Sequence, residues 1–237
     1  MPAVTAPTGA GDEASHAQCE PAVVAKSLYR FFRAGEEETL ALRGVSLSVA
    51  PGELVAVVGP SGSGKSTLLA CLAGLDEPDG GLVMIAGKRM SHQPETVRTR
   101  IRAGCIGILG QSGNLFEHLT VRANIAFAQA AAPTRQTRDC RELLTAVAVA
   151  DRAGAYPSEL SGGELARVGL AVALANNPAV VLADEPTGEL DSVTEAQVVD
   201  LLAAAAHAGA AVLVASHSPA IAARADSIIR LEDGTVV

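Results

Sequence analysis

The chain has 237 residues, 49% of them hydrophobic, with four Phe, two Tyr and no Trp. That is enough for one large α/β domain, or a core with an inserted subdomain, whose interior is Ala, Val and Leu. A net charge of −8 and the lack of any basic run argue against a nucleic-acid partner.

Met1–Glu20 has no apolar core of the kind a secretion signal needs. Rich in Ala, Pro, Gly and Thr without periodicity, it reads as a disordered tail. Val23–Phe32 and Ala41–Val49 pattern as strands around the turn Arg33-Ala34-Gly35-Glu36, and Ala50-Pro51-Gly52-Glu53 is a second turn. Leu54–Val58 is a short β-branched run, the signature of a strand buried on both faces of a parallel sheet. It runs into Gly59-Pro60-Ser61-Gly62-Ser63-Gly64-Lys65-Ser66-Thr67, a full match to G-x-x-x-x-G-K-[ST], and then into an apolar helix that ends near Gly74. Glycines let such a loop turn its N–H groups inward around an anion, and the helix N-terminus adds positive potential. Lys65 can reach the β- and γ-phosphates of a nucleoside triphosphate, and Ser66 can place its hydroxyl on Mg²⁺.

Gly80–Gly87 patterns as a further strand, and 91–104 as a polar helix whose Arg98, Arg100 and Arg102 read as a solvated face. Cys105–Leu109 is a strand ending at Gly110-Gln111. The four cysteines, Cys19, Cys71, Cys105 and Cys140, lack metal-type spacing and read as free thiols of a reducing compartment. From Thr120 to Pro157 the pattern is helical and Ala-rich, broken at Pro133, so a helical insertion spans about 91–160. Leu160-Ser161-Gly162-Gly163-Glu164 opens the apolar-periodic run Leu165–Leu174. It reads either as a second anion-binding helix start or, equally, as an ordinary capping box of Ser161 and Glu164.

Val180–Ala183 is a buried strand that delivers Asp184 and Glu185 to its C-terminal edge, where α/β sheets bind ligands. Two carboxylates there call for a cation; Asp184 suits Mg²⁺, and Glu185 suits an attacking water. Leu201–Ser216 is too short and too interrupted, at His207 and Gly209, to span a membrane, and predicts a helix from Ser192 to His207 followed by a strand at Ala211–Ala215. A hairpin of Ser227–Leu231 and Thr235–Val237 closes the chain.

Phosphate loop, Leu-Ser-Gly-Gly-Glu stretch and acidic strand, in that order, resemble the ATP-binding cassette (ABC) ATPases over about residues 22–237. The resemblance implies a P-loop α/β fold with a mainly parallel core sheet, an N-terminal antiparallel β part and an inserted α-helical subdomain. It implies that Glu185, His217 and Lys65 carry catalysis and that Ser66, Gln111 and Asp184 hold Mg²⁺. Gln111 matches the glutamine that senses the membrane partner, Asp191 the dimer-interface aspartate, and His217 the γ-phosphate histidine. Phe32 fits the aromatic that stacks on adenine, with Phe31 facing the core; the exchange of those two roles is the alternative. Ser161, Gly162, Gly163 and Glu164 of one subunit are expected to close over the ATP held by the other, in a homodimer. Three positions depart from the family pattern: Glu164 for Gln, Val172 for Arg, and Ser218 for Asp. None removes a group that the resemblance places in direct contact with the phosphates or the metal, so an active ATPase is expected.

Gly35-Glu36-Glu37-Glu38, Gly74-Leu75-Asp76-Glu77-Pro78, Asn114-Leu115, Leu119-Thr120-Val121 and Leu182–Ser192 are similar to the branch containing lipoprotein-release, macrolide-export and cell-division ATPases. That likeness implies a separate integral membrane permease as partner, a cytoplasmic place on the inner face of the membrane, and export or extracytoplasmic mechanical work. Control of cell-wall or cell-division machinery without transport is the alternative. A soluble non-transport ABC ATPase is disfavoured by the single cassette and the acidic charge.

Overall fold

The computed structural model describes residues 20–34, 37–110, 114–132 and 137–237. Two strands start it, β1 (Val23–Ala34) and β2 (Glu37–Val49), longer by a few residues than their apolar patterns. With β4 (Gly80–Ile85) and β5 (Lys88–Arg89) they form an antiparallel sheet in the order β2-β1-β4-β5. The second sheet is β10-β9-β3-β8-β7-β6, from β3 (Leu54–Val58), β6 (Ile106–Leu109), β7 (Val180–Asp184), β8 (Ala211–Ala215), β9 (Ser227–Glu232) and β10 (Thr235–Val236). It is parallel except at the closing β9–β10 hairpin. Cys105 is the last residue of helix α2 (Glu95–Cys105), so the strand that follows starts one residue later than its pattern.

The two faces of β3 serve two cores. Val55 and Val57 pack with α1 (Lys65–Leu72) and the antiparallel sheet. Leu54 and Ala56 pack with α6 (Ser192–His207) and Ile221 of α7 (Pro219–Arg224). A third core lies among the helices, where Val121 and Ile125 of α3 (Val121–Ala131) and Leu143 and Leu144 of α4 (Cys140–Ala146) meet Val168 and Ala171 of α5 (Gly162–Ala173). Helix α5 belongs to two cores at once, because Leu170 faces the parallel sheet. Small side chains, Ala203, Ala205 and Ala206, pack α6 into the same core as the sheet. All six aromatic residues are exposed: Tyr29, Phe31, Phe32, Phe116, Phe127 and Tyr156.

Two expectations are corrected. Phe31 does not face the core; it is 36% exposed, because a bulge between Arg30 and Phe31 breaks the alternation of β1. Arg98 and Arg102 are not on a solvated face. Arg98 pairs with Glu77 at 2.8 Å and Glu95 at 2.7 Å, and Arg102 donates to the Gly74 carbonyl at 2.9 Å in the turn that follows α1. Among the described residues, no helix is long and apolar enough to cross a membrane.

Candidate active site

Register places the reactive groups. Val57 and Asp184 both pair with Ala215 across β3, β8 and β7, so the three strands end in one row. The phosphate loop follows β3, Glu185 follows β7, and Ser216 and His217 follow β8. The loop 59–64 is packed too tightly for side chains at two points. A Cβ on Gly59 would fall 2.1 Å from the Leu231 carbonyl oxygen, and one on Gly64 would fall 2.5 Å from that of Ala41. Gly64 also takes φ 101°, which opens α1 with no side-chain cap. Lys65, nearly buried, donates to the carbonyls of Gly59 at 2.8 Å and Pro60 at 3.1 Å, which sets its ammonium over the loop. The C-terminal hairpin braces this loop from outside, since the Gly234 N–H donates to the Ser63 carbonyl at 3.1 Å.

Asp184 fits a cation. Its Oδ1 is buried without a hydrogen-bond partner among the described residues, and with Ser66 it lines a cavity of about 200 Å³ that runs along α1. Glu185 sits at φ 46°, a left-handed conformation uncommon for a residue with a side chain. Its N–H donates to the Ala215 carbonyl at 2.9 Å, and its carboxylate takes the Ser216 hydroxyl at 3.1 Å. His217 Nδ1 lies 3.1 Å from the same carboxylate, with the ring largely exposed.

Ser161 caps α5, accepting from the Glu164 N–H at 3.3 Å, while Glu164 accepts the Ser161 N–H at 2.8 Å and the Arg152 guanidinium at 2.7 Å. The Ser161 N–H, then Arg152, then the Ser161 hydroxyl hold the Glu164 carboxyl down to about 2. A Cβ on Gly163 would meet the Thr194 methyl at 2.3 Å, so glycine there lets α5 pack against the start of α6. Asp191 is the N-cap of α6, accepting from the Val193 and Thr194 N–H groups at 3.0 and 3.1 Å and from the Thr194 hydroxyl at 2.7 Å. Those bonds, the hydroxyl's first, hold its carboxyl below the ordinary range.

Phe32 is 43% exposed, with the Arg30 guanidinium 4.7 Å from the ring centroid. Arg30 is itself fixed by Asp76 at 2.8 Å and Asp79 at 3.0 Å. Gln111 lies outside the described residues. Between α2, α3 and α5 runs a groove of about 560 Å³ lined by Leu75, Arg102, Ile108, Phe116, Phe127 and Val172. Sequence reasoning missed Ser216, Arg152, Arg30 and the Gly234 brace. Each acts through contacts that only the folded chain creates, which leave no pattern in the sequence.

The family described as ABC transporter matches residues 42–188. The chain is 45% identical over 201 residues to the lipoprotein-releasing system ATP-binding protein LolD of Ruegeria pomeroyi, covering 83% of this chain and 88% of that one. It is 42% identical to an uncharacterized ABC transporter ATP-binding protein of Mycobacterium tuberculosis, covering 92% and 90%. Against the macrolide export ATP-binding/permease protein MacB of Salmonella choleraesuis it is 41% identical, covering 88% of this chain and 33% of that longer one. The dimeric structure of the bacterial ABC transporter cassette MJ0796 superposes with a TM-score of 0.83 at 35% identity, covering 90% of this chain and 96% of that one. The same cassette has been captured in a dimeric post-hydrolysis state bound to ADP and Pi, at the same TM-score and 36% identity. Fold, phosphate loop and relatives agree: the chain belongs to the ABC transporter ATP-binding family, in the branch of LolD and the MacB ATPase, and is an ATPase.

Proposed function

We propose that this chain is the ATP-hydrolysing subunit of a transporter, which dimerises with a second copy of itself around two ATP molecules and drives a separate membrane permease from the inner face of the membrane. Residues 21–237 act as one cassette domain, with the helices of about 91–160 inserted into the nucleotide-binding core.

The N–H groups of residues 59–67 and the Lys65 ammonium bind the phosphates, and adenine stacks on Phe32 against the guanidinium-backed ring. Ser66 and Asp184, with Gln111, hold Mg²⁺, which when bound neutralises the charge of the β- and γ-phosphates. Glu185 takes a proton from water as the water attacks the γ-phosphoryl group and ADP leaves. His217 contacts the same phosphoryl group. Ser161, Gly162, Gly163 and Glu164 of the partner copy, with Asp191 at its interface, close over the nucleotide. The observation that carries this reading is the row of strand ends, with an unsatisfied Asp184 oxygen beside Ser66 and Glu185 held between Ser216 and His217.

The permease seat is the groove between α2, α3 and α5. Leu75, Phe116 and Phe127 are 60%, 44% and 54% exposed there, an apolar patch suited to a short amphipathic segment of a membrane protein.

Glu185→Gln should keep ATP binding, lose hydrolysis by about a hundredfold or more, and accumulate dimer with Mg-ATP in gel filtration. A variant that still hydrolyses removes the base; one that stays monomeric removes the sandwich. The tagged chain, drawn from gently solubilised membranes, should bring down an integral membrane protein in stoichiometric amount. Recovery of ribosomal or DNA-bound proteins instead would overturn the transporter reading alone.

A further inference from the structure

Ser216 is the most deeply buried polar side chain near Glu185, at 1% exposure, and no step of the reaction above uses it. Its backbone N–H is spent on the Val57 carbonyl at 3.1 Å, which ties the end of β8 to the strand that feeds the phosphate loop. Its hydroxyl oxygen accepts the Ser218 N–H at 3.1 Å. With that lone pair engaged, the single hydroxyl proton is directed to Glu185 Oε2 at 3.1 Å.

The chain of bonds continues away from the nucleotide. The Ser218 hydroxyl accepts the Ala220 N–H at 3.1 Å at the start of α7 and donates to Glu195 Oε1 in the first turn of α6. The same Glu195 oxygen takes the Thr187 hydroxyl at 3.2 Å, and Thr187, buried to 4%, lies two residues after Glu185. Glu195 thus holds both flanks of the Glu185 carboxylate: the turn that follows β7 and the turn that follows β8.

Left-handed backbone at Glu185 makes such support necessary. A residue with a side chain at φ 46° stays there only when its surroundings determine it, and the exposed His217 ring is a weak anchor. We infer that Ser216 is a positioning residue for Glu185, and that Glu195, through Ser218, holds Ser216 in that role. Ser218, which departs from the aspartate common in the family, is here the link to a carboxylate on α6. The inference rests on Glu185 being the base.

The test compares steady-state hydrolysis by the full chain carrying Ser216→Ala, Ser216→Thr, Glu195→Ala or Glu185→Gln, each first checked for native thermal unfolding. Ser216→Ala should lower kcat about tenfold while KM for ATP stays within about twofold, because only the aim of the base is lost. Ser216→Thr, which keeps the hydroxyl, should recover most of that loss. Glu195→Ala should lower kcat about threefold with KM unchanged. Near-normal kcat in Ser216→Ala, a matching rise in KM, or no recovery in Ser216→Thr overturns the positioning role. Full kcat in Glu195→Ala overturns its part. Should Ser216→Ala fail to fold, kcat of the folded Glu195→Ala decides by itself. Hydrolysis retained by Glu185→Gln removes the base and this inference with it; hydrolysis lost there but intact in Ser216→Ala removes the inference only.

Discussion

Two helices of this molecule begin in glycine-rich loops, and they begin in opposite ways. Helix α1 opens on Gly64 with no side-chain cap and a lysine arched over the loop, so its first N–H groups and its dipole are left for an outside anion. Helix α5 opens on a reciprocal Ser161–Glu164 capping box clamped by Arg152, so an internal carboxylate already occupies its positive end. Similar loop composition therefore encodes a helix start without a side-chain cap in one place and a capped one in the other. What separates them is the residue three positions into the second helix, Glu164.

If the first site is the open one, Lys65→Ala should have the largest effect, lowering ATP affinity and turnover by about a hundredfold or more, since the charge held over the loop is lost. A change below tenfold in nucleotide titration would erase the contrast between the two helix starts. At the second site, Gly163→Ala should act through packing. Its methyl group must displace Thr194, which holds Asp191, at a cost of about 1–3 kcal/mol, read as a fall of about 2–4 °C in Tm per kcal/mol.

The smallest effect sharpens the comparison most. Glu164→Gln keeps an acceptor for the Ser161 N–H but removes the charge, so turnover should rise about twofold at low salt and less at high salt. The substitution should also cost stability, and the pH dependence follows in sign. The carboxyl is depressed from an ordinary 4.5 to about 2, so its contribution is full above about 4.5 and is lost as pH falls towards about 2. Urea midpoints of the two proteins should differ at neutral pH and converge across that acid window.

How much of this was legible in the chain follows the same division. The phosphate loop and the Asp184-Glu185 strand were readable because their backbone conformation and burial admit few residue types, so the chemistry is written as a pattern. The capping box was readable as one of two equal possibilities. Arg152, which closes it from twelve residues upstream, was not, because an ion pair across a turn leaves no periodic trace. Strand alternation misplaced Phe31 because a bulge is a register event set by partner strands. Arg98 and Arg102 looked solvated because their charge was visible while the turn that follows α1, to which Arg102 donates, was a tertiary fact.

That contact between Arg102 and the carbonyls of Ala73 and Gly74, just past the end of α1, ties down the far end of the helix. Its eight residues span only about 12 Å, with the phosphate loop at one end and Leu75 and Arg102, two walls of the apolar groove, at the other. A rod that short, with no proline or bulge within it, sets the distance between the phosphate loop and that groove wall.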